Sequence, residues 1–433
     1  MTQDGPALLR PGDPAYEAAR APAVARFRGI RPRAVARCTS PEEVAAAIAY
    51  AHRERLPLAA RSGGHCFAGR SSTDGLLIDV SPLRSVAVHD DGTATVGAGT
   101  RLGDLYDALL AHGRTLPAGC GPTVGIAGLT LGGGLGVLGR LHGLTCDSLL
   151  AAQVVLAEGR IADCDEAREP DLFWALRGAG GCRFGIVTAL TFRTIAPPAA
   201  TAFELSWPGH RAAEVIAAWQ RWAPSGPDEL AASLLVTAGA GPPSVTVVGT
   251  MIGTEGETAA VLDGLEAEPR AAELHHGPHR EIKRRLAERG DASEDDGILH
   301  SRSEFFRAEL PPAAVAELVE RLTDDAPGAA RELDFSPWGG AYNRVPAAAT
   351  AFPHRAERFL LKQSALVAPG GDEAAALRWV ERSWAVAHPW GAGGVYANFP
   401  EPDLDPWSPA YHGANRERLL AVKRRYDPDR VFG

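Results

Sequence analysis

Before residue 195, short apolar runs alternate with helical spacings. AVARCT at 34–39 has the pattern of a short strand. Ser40 then stands where a helix cap is wanted, Pro41 at the first helical position and Glu43 at the third, which is a capping box. Val44, Ala47, Ile48 and Ala51 repeat on one helical face. LPLAA (56–60), GLLIDV (75–80) and TATVGAG (93–99) read as short strands. Thr100 is expected to cap a second helix, carried by Leu102, Leu105, Tyr106, Leu109 and Leu110 and stopped at His112-Gly113. From Cys120 to Gly143 glycine dominates, and neither a helix nor a strand is expected to hold there by itself. Such a run reads as backbone wrapped closely against something else. A strand at 149–159 follows, then a short helix, a glycine turn and a strand within 171–192.

After residue 195 the periods lengthen. Helical patterns cover 212–223, 256–267, 312–323 and 371–387. LAASLLVTAG, PSVTVVGTMIG, ARELDFSPWGG and RFLLKQSALV read as strands. This second texture predicts a sheet with helices on one face, and an α+β chain overall. RGDASEDDG (289–297) reads as a solvated loop. A chain of 433 residues with 45% apolar positions is expected to divide into two domains.

The net charge of −9 and the lack of a basic stripe argue against nucleic acid. Lys423-Arg424-Arg425 is read as a solvated helix face. No apolar stretch of about 18 residues suits a membrane span, and MTQDGPALLRPGDP has no secretory pattern. A soluble, cytoplasmic protein is expected. Cys38, Cys66, Cys120, Cys146, Cys164 and Cys182 form no C-x-x-C pair and suit neither zinc nor a dense disulfide framework. His275, His276 and His279 lack a paired carboxylate at a defined register and read as surface histidines. No H-E-x-x-H is present, so no metal site is expected.

Three glycine loops remain: Arg61-Ser62-Gly63-Gly64-His65, Gly132-Gly133-Gly134 with Gly136, and Gly178 to Gly181. Successive glycines let backbone N–H groups converge on an anion such as a pyrophosphate. The bland reading is turns in a tight fold. Neither the G-x-G-x-x-G fingerprint nor a P-loop fits the spacing.

Taken in order, RSGGH, the D-G-L-L-I-D-V-S strand, P-A-G-C-G-P-T-V-G-I-A-G-L-T-L-G-G-G-L-G, G-L-T-C-D and D-L-F-W-A-L-R-G-A-G-G resemble the berberine bridge enzyme-like family of FAD-linked oxidases. The closing Y-H-G-A-N-R-E-R-L-L-A-V-K-R-R-Y-D-P-D-R-V-F is similar to that family's last segment. The resemblance covers 31–194 and 391–433. It implies a two-subdomain PCMH-type FAD domain at 1–194, a substrate domain at 195–390 with an antiparallel sheet covered by helices, and a segment at 391–433 that returns to the FAD domain. It also implies an oxidase that passes hydride to flavin N5 from an alcohol or amine carbon of a small molecule, with molecular oxygen as acceptor and hydrogen peroxide as product. A dehydrogenase with another acceptor is the alternative. Substrate identity and oligomeric state stay open.

Residue by residue, the resemblance places FAD against Arg61, Ser62, Gly63, Gly64 and His65, with His65 joined covalently to the flavin 8α carbon. In the second loop it places Cys120, Thr123, Val124, Gly125 and Gly128, then Gly132, Gly133, Gly134 and Gly136. Asp147, which is expected to order its loop, Gly185, Ile186, Val187, Asn398, Tyr411 and Asn415 complete the set. Relatives with a second flavin bond carry cysteine at the place of Gly121; Cys120 stands one residue early, so single attachment is expected. Val124 resembles the family's small oxygen gate. Arg183 reaches the pyrophosphate or lies in solvent. Tyr396, in Y-A-N-F, resembles the tyrosine at the family's flavin and is the expected base, with Tyr342 second; a structural Tyr–Asn pair is the other reading. A phenol needs a cation or hydrogen bonds to serve as a base, and Lys362 and Arg355 are the candidates.

Overall fold

The structure is a computed structural model that describes residues 7–239, 241–290, 297–323 and 328–432. Three sheets follow one another along the chain. The first has strand order β1-β2-β4-β3, with β1 (Leu8–Leu9) antiparallel on the edge of parallel β2 (Ala34–Arg37), β4 (Leu76–Asp79) and β3 (Leu58–Arg61). The second is antiparallel in the order β5-β6-β9-β7-β8, from β5 (Val86–Val88), β6 (Thr93–Gly97), β7 (Leu149–Val155), β8 (Ile161–Cys164) and β9 (Ile186–Arg193). The third holds seven antiparallel strands: β10 (Ala199–Pro208), β11 (Leu230–Ala238), β12 (Ser244–Met251), β13 (Ala271–Pro278), β14 (Ile298–Phe306), β15 (Ala329–Pro337) and β16 (Phe359–Val367), ordered β13-β10-β12-β11-β15-β16-β14. This is the α+β arrangement expected from the pattern.

Helix Pro41–Glu54 crosses between β2 and β3 and buries Val44, Ala47, Ile48 and Ala51. Ser40 accepts the Glu43 N–H as a cap should, but the Glu43 carboxylate returns to the N–H of Thr39 (2.6 Å). The first two sheets share one core, and Leu419, Val422 and Tyr426 of the closing helix Arg416–Tyr426 lie in it. The third sheet is covered on one face by helices Ala212–Trp222, Pro312–Leu322 and Glu373–Ala387, which bury Trp219, Leu318 and Trp379 against Leu234, Leu333 and Leu361. Its other face turns toward the glycine loops.

Several expectations are overturned. Thr100 does not cap; helix Leu102–Leu110 starts after Arg101, and the Thr100 hydroxyl is buried without a partner among the described residues. The glycine-rich run holds two short helices, Ile126–Leu131 and Gly139–His142, because tertiary burial of Ile126, Ala127, Leu131 and Arg140 outweighs weak propensity. β10, β13 and β14 and helix His279–Gly290 were not anticipated. His275 and His276 lie in β13, where His275 pairs with Glu281 at 2.7 Å, and His279 is buried rather than on the surface. Lys423 is no solvated cation either: it is buried, donating to Asp427 (2.5 Å), the Arg183 carbonyl (2.7 Å) and the Phe432 carbonyl. The stretch at 289–297 falls mostly outside the described residues. Among the described residues no helix is long and apolar enough to cross a membrane, and no metal-binding cluster forms.

Buried cations join the glycine-rich run to the rest of the fold. Arg140 donates to the carbonyls of Ala223 (2.7 Å), Gly226 (2.8 Å) and Trp338 (2.9 Å), capping the end of helix Ala212–Trp222. Arg355 grips Asp147 through two bonds of 2.8 and 2.7 Å, with side chains 2% and 9% exposed. Asp147 also accepts the Leu144 N–H at 2.8 Å, so it orders its loop. Removing one partner of such a pair leaves a buried charge unpaired. Asp147→Ala is expected to cost about 3–5 kcal/mol, measured as a lower urea midpoint at unchanged slope; a midpoint shift below about 1 kcal/mol would contradict it.

Candidate cofactor and active site

The parallel strands β2, β4 and β3 end together at Arg37, Asp79 and Arg61. A cavity of about 440 Å³ opens there, lined also by Ser62, Gly63, His65, Arg101 and Thr123. Ligands of open α/β sheets sit at this end of the strands. The Gly63 and Gly64 N–H groups have no acceptor among the described residues, as an anion nest requires. His65 projects from the loop, and its Nε2 lies 3.0 Å from the Thr123 hydroxyl. The two loops touch backbone to backbone: a Cβ on Gly63 would come within 2.3 Å of the Gly125 nitrogen. Ser62 fixes the register by donating to the Ala98 carbonyl (2.6 Å). Unpaired N–H groups and a presented imidazole fit a flavin dinucleotide.

Other expected FAD contacts divide. Gly128 is exposed with open space above it. Gly132, Gly133 and Gly134 instead pack against Asn398, Phe352 and Thr145, and Gly136 against the Ala118 carbonyl. Arg61 spends its guanidinium on the carbonyls of Arg20 (2.7 Å) and Ser71 (3.0 Å). Gly185 abuts Val154, while Ile186 and Val187 lie in the core. Asn415 donates to the Ala347 (2.8 Å) and Thr350 (3.1 Å) carbonyls, and Tyr411 accepts the Glu401 N–H. Val124 is half-buried beside Gly121. Arg183 does not lie in solvent; it is buried, donates to the Ala179 carbonyl and lies 5.2 Å over Trp407. Burial and then Arg70 pull its pKa down to about 10.

Tyr396 and Tyr342 belong to a buried aromatic cluster with Phe305, Trp338, Phe352 and Leu360. The Tyr396 oxygen accepts from the N–H of Leu135 (2.8 Å), that of Gly134 (3.1 Å) and Asn398 Nδ2 (3.2 Å). Burial still pushes its pKa up to about 12, and burial raises Tyr342 too. Tyr342 donates to the Gly136 carbonyl at 3.1 Å. The expected cation is not at Tyr396: Arg355 is taken by Asp147, and Lys362 pairs with Asp334 (3.3 Å) and Glu332 (3.7 Å).

Lys362 leads to a set of side chains that pattern reading missed. Its ammonium lies 5.4 Å from the Phe399 ring, which stacks on Phe67 at 5.8 Å, two residues beyond His65. Asp334 sits directly across from Lys362 in the β15–β16 register and Ser303 on its other side. The signal was present: in ARELDFS and LLKQS, alternation puts Glu332, Asp334 and Lys362 on one face of strands whose other face is apolar.

Cys120 faces elsewhere. It lines a groove of about 620 Å³ with Tyr106, Pro122 and Lys283, whereas Thr123 lines the His65 cavity. The Lys283 ammonium pins this stretch through the Ala118 and Gly119 carbonyls at 2.9 and 3.2 Å.

Family comparison matches residues 32–165 to an FAD binding domain and 395–433 to the berberine and berberine-like segment. The uncharacterised FAD-linked oxidoreductase YvdP of Bacillus subtilis is 34% identical, covering 90% of this chain and 88% of that protein. BBE-like 1 of Physcomitrella patens superposes with a TM-score of 0.90 at 26% identity, over 99% of this chain and 96% of that one. The glucooligosaccharide oxidase of Acremonium strictum, described with a 6-S-cysteinyl, 8α-N1-histidyl FAD, superposes with a TM-score of 0.90 at 25% identity, over 99% and 95%.

The close approach of the loops makes a sharp prediction. Gly63→Ala places a methyl where the Gly125 backbone stands, and neither side is free to move. The purified variant is expected to carry well under half the wild-type flavin per chain by visible absorbance; full flavin content would contradict the packing.

Proposed function

We propose a function from one premise: the chain belongs to the berberine bridge enzyme-like family of FAD-linked oxidoreductases. FAD is its cofactor, and we take it to be an oxidase that removes a hydride from an alcohol or amine carbon of a small molecule and passes electrons to oxygen, giving hydrogen peroxide. The observation that carries this reading is His65, presented at the ends of the parallel strands beside Thr123 and the unpaired N–H groups of its loop. We assign His65 as the single covalent anchor, because the Cys120 thiol lies in the other cavity. Val124, small and half-buried, suits oxygen access. All six cysteines are free, as suits a reducing compartment, and we place the protein in the cytoplasm.

Bound FAD supplies the hydride acceptor. The chain supplies position and a place for the substrate proton. Phe67 and Phe399 offer an apolar wall within reach of the His65 loop. Asp334, held by Lys362, is proposed to accept the proton, while burial pushes the Tyr396 phenol up to about 12. Tyr396 then has the role of holding Gly134 and Leu135, and Tyr342 that of holding Gly136. The FAD domain is proposed to span 1–194, the substrate domain 195–390, and the returning segment 391–433.

Attachment is tested on acid-precipitated protein. Wild-type flavin should stay with the pellet and map to the His65 peptide alone, and His65→Ala should release it. Gly121→Cys, whose Cβ would have only Val124 close by, should gain a second link. Flavin lost from wild type in acid, or found on Cys120, would overturn the assignment.

The base is tested by rapid mixing under anaerobic conditions with a substrate that bleaches the wild-type flavin. Asp334→Asn should slow reduction by about 10²–10⁴-fold. Tyr396→Phe should reduce stability while bound flavin is still reduced at close to the wild-type rate. The reverse ranking would return the role to Tyr396.

A further inference from the structure

Three guanidinium groups line the cavity at the ends of β2, β4 and β3: those of Arg37, Arg61 and Arg101. Two are committed. Arg61 is buried and donates to the carbonyls of Ala19, Arg20 and Ser71 and to the Ser72 hydroxyl. Arg37 pairs with Asp79 at 3.3 Å, and Asp79 is the only carboxylate among the described residues that line the cavity. The Arg101 side chain makes no hydrogen bond or ion pair among the described residues. We propose that Arg101 binds the diphosphate of FAD and supplies the net positive charge that its capture needs. The assignment rests on the reading of this cavity as the FAD site.

Backbone pairing puts Arg101 beside the glycine nest. Arg101 and Gly125 form an antiparallel bridge. The Leu102 N–H donates to the Val124 carbonyl and the Ile126 N–H to the Thr100 carbonyl, both at 2.9 Å. Gly125 is also the residue against which Gly63 is packed. Gly63, whose N–H has no acceptor among the described residues, and Arg101 therefore flank the same residue and line the same cavity.

Charge and commitment decide which arginine serves. Backbone N–H groups give an anion hydrogen bonds but no net charge. Arg61 could turn to a ligand only by leaving buried carbonyls unpaired, which costs more than the new bond gains. Arg37 would have to give up Asp79. Arg101 gives up only water and side-chain freedom, and a planar guanidinium can donate to two phosphate oxygens at once.

The consequence is selectivity. Riboflavin, which lacks phosphate, meets the same His65 and Thr123 but gains nothing from Arg101. The chain thus separates the dinucleotide from the bare flavin before any bond to His65 forms. Arg101 is exposed, so its attraction is screened by salt.

The test titrates His65→Ala apoprotein, in which flavin stays exchangeable, with FAD and with riboflavin, read by flavin fluorescence. Arg101→Gln in that background should weaken FAD about tenfold, leave riboflavin unchanged and flatten the fall of FAD affinity with added salt. Arg101→Lys should recover part of the loss. Where His65→Ala does not fold, the flavin content of chains that keep His65 serves instead: Arg101→Gln from riboflavin-limited cells should carry less flavin than wild type, at an unchanged urea midpoint. Unchanged FAD affinity or flavin content in Arg101→Gln, or an equal loss for FAD and riboflavin, would overturn the assignment. Gly63→Ala separates it from the reading beneath it. If FAD is indifferent to both substitutions, the cavity is not the FAD site; if FAD is indifferent to Arg101→Gln alone, only the role of Arg101 fails.

Discussion

A run of backbone rich in glycine has few side chains with which to fix itself. From Pro117 to Asp147 the chain is therefore held by groups that reach in from other elements. Tyr396 binds two consecutive N–H groups, Tyr342 a carbonyl, Lys283 two carbonyls, and Arg355 the carboxylate of Asp147. Arg140 reaches outward from the same run and caps a helix of the other domain. Each of these donors or acceptors is buried, so each bond is made at low dielectric, where leaving it unmade costs far more than making it gains. The cofactor loops are thus positioned by the seam between the domains.

That dependence explains why the glycines are close-packed. Where Asn398, Phe352 and Thr145 press on Gly132, Gly133 and Gly134, a Cβ would displace the groups that hold the loop. At Gly63 and Gly125 the contact is backbone on backbone, which brings the His65 loop against Thr123. Glycine serves the cofactor indirectly here, by allowing protein to approach protein.

Much of the fold was legible in the sequence. The strand and helix at 34–54 followed from alternation and a cap, and most elements of the third sheet followed from period alone. The failures have physical causes. The helices at 126–131 and 139–142 are stabilised by burial that local propensity does not contain. Lys423 and His279 read as surface groups because their partners, the carbonyls of Arg183 and Phe432 for one and an enclosing seam for the other, are distant in sequence or set only by folding. In the site, the R-S-G-G-H loop was visible as chemistry. Phe67 and Phe399 were not, since only the tertiary fold stacks two isolated phenylalanines.

The same reasoning separates the two kinds of titratable group near the flavin loops. Tyr396 lies deep in an aromatic cluster, and the three N–H donors around its oxygen oppose burial without overcoming it. Hydrogen bonds from the Gly134 and Leu135 backbone and from Asn398 hold the phenol in place. Asp334 pairs with Lys362 at the edge of the same aromatic wall, on a strand whose register is set by its two neighbours, β11 and β16. A sheet fixes a side chain more tightly than a loop does. The proposed proton acceptor thus stands on a strand paired along both edges rather than on a loop.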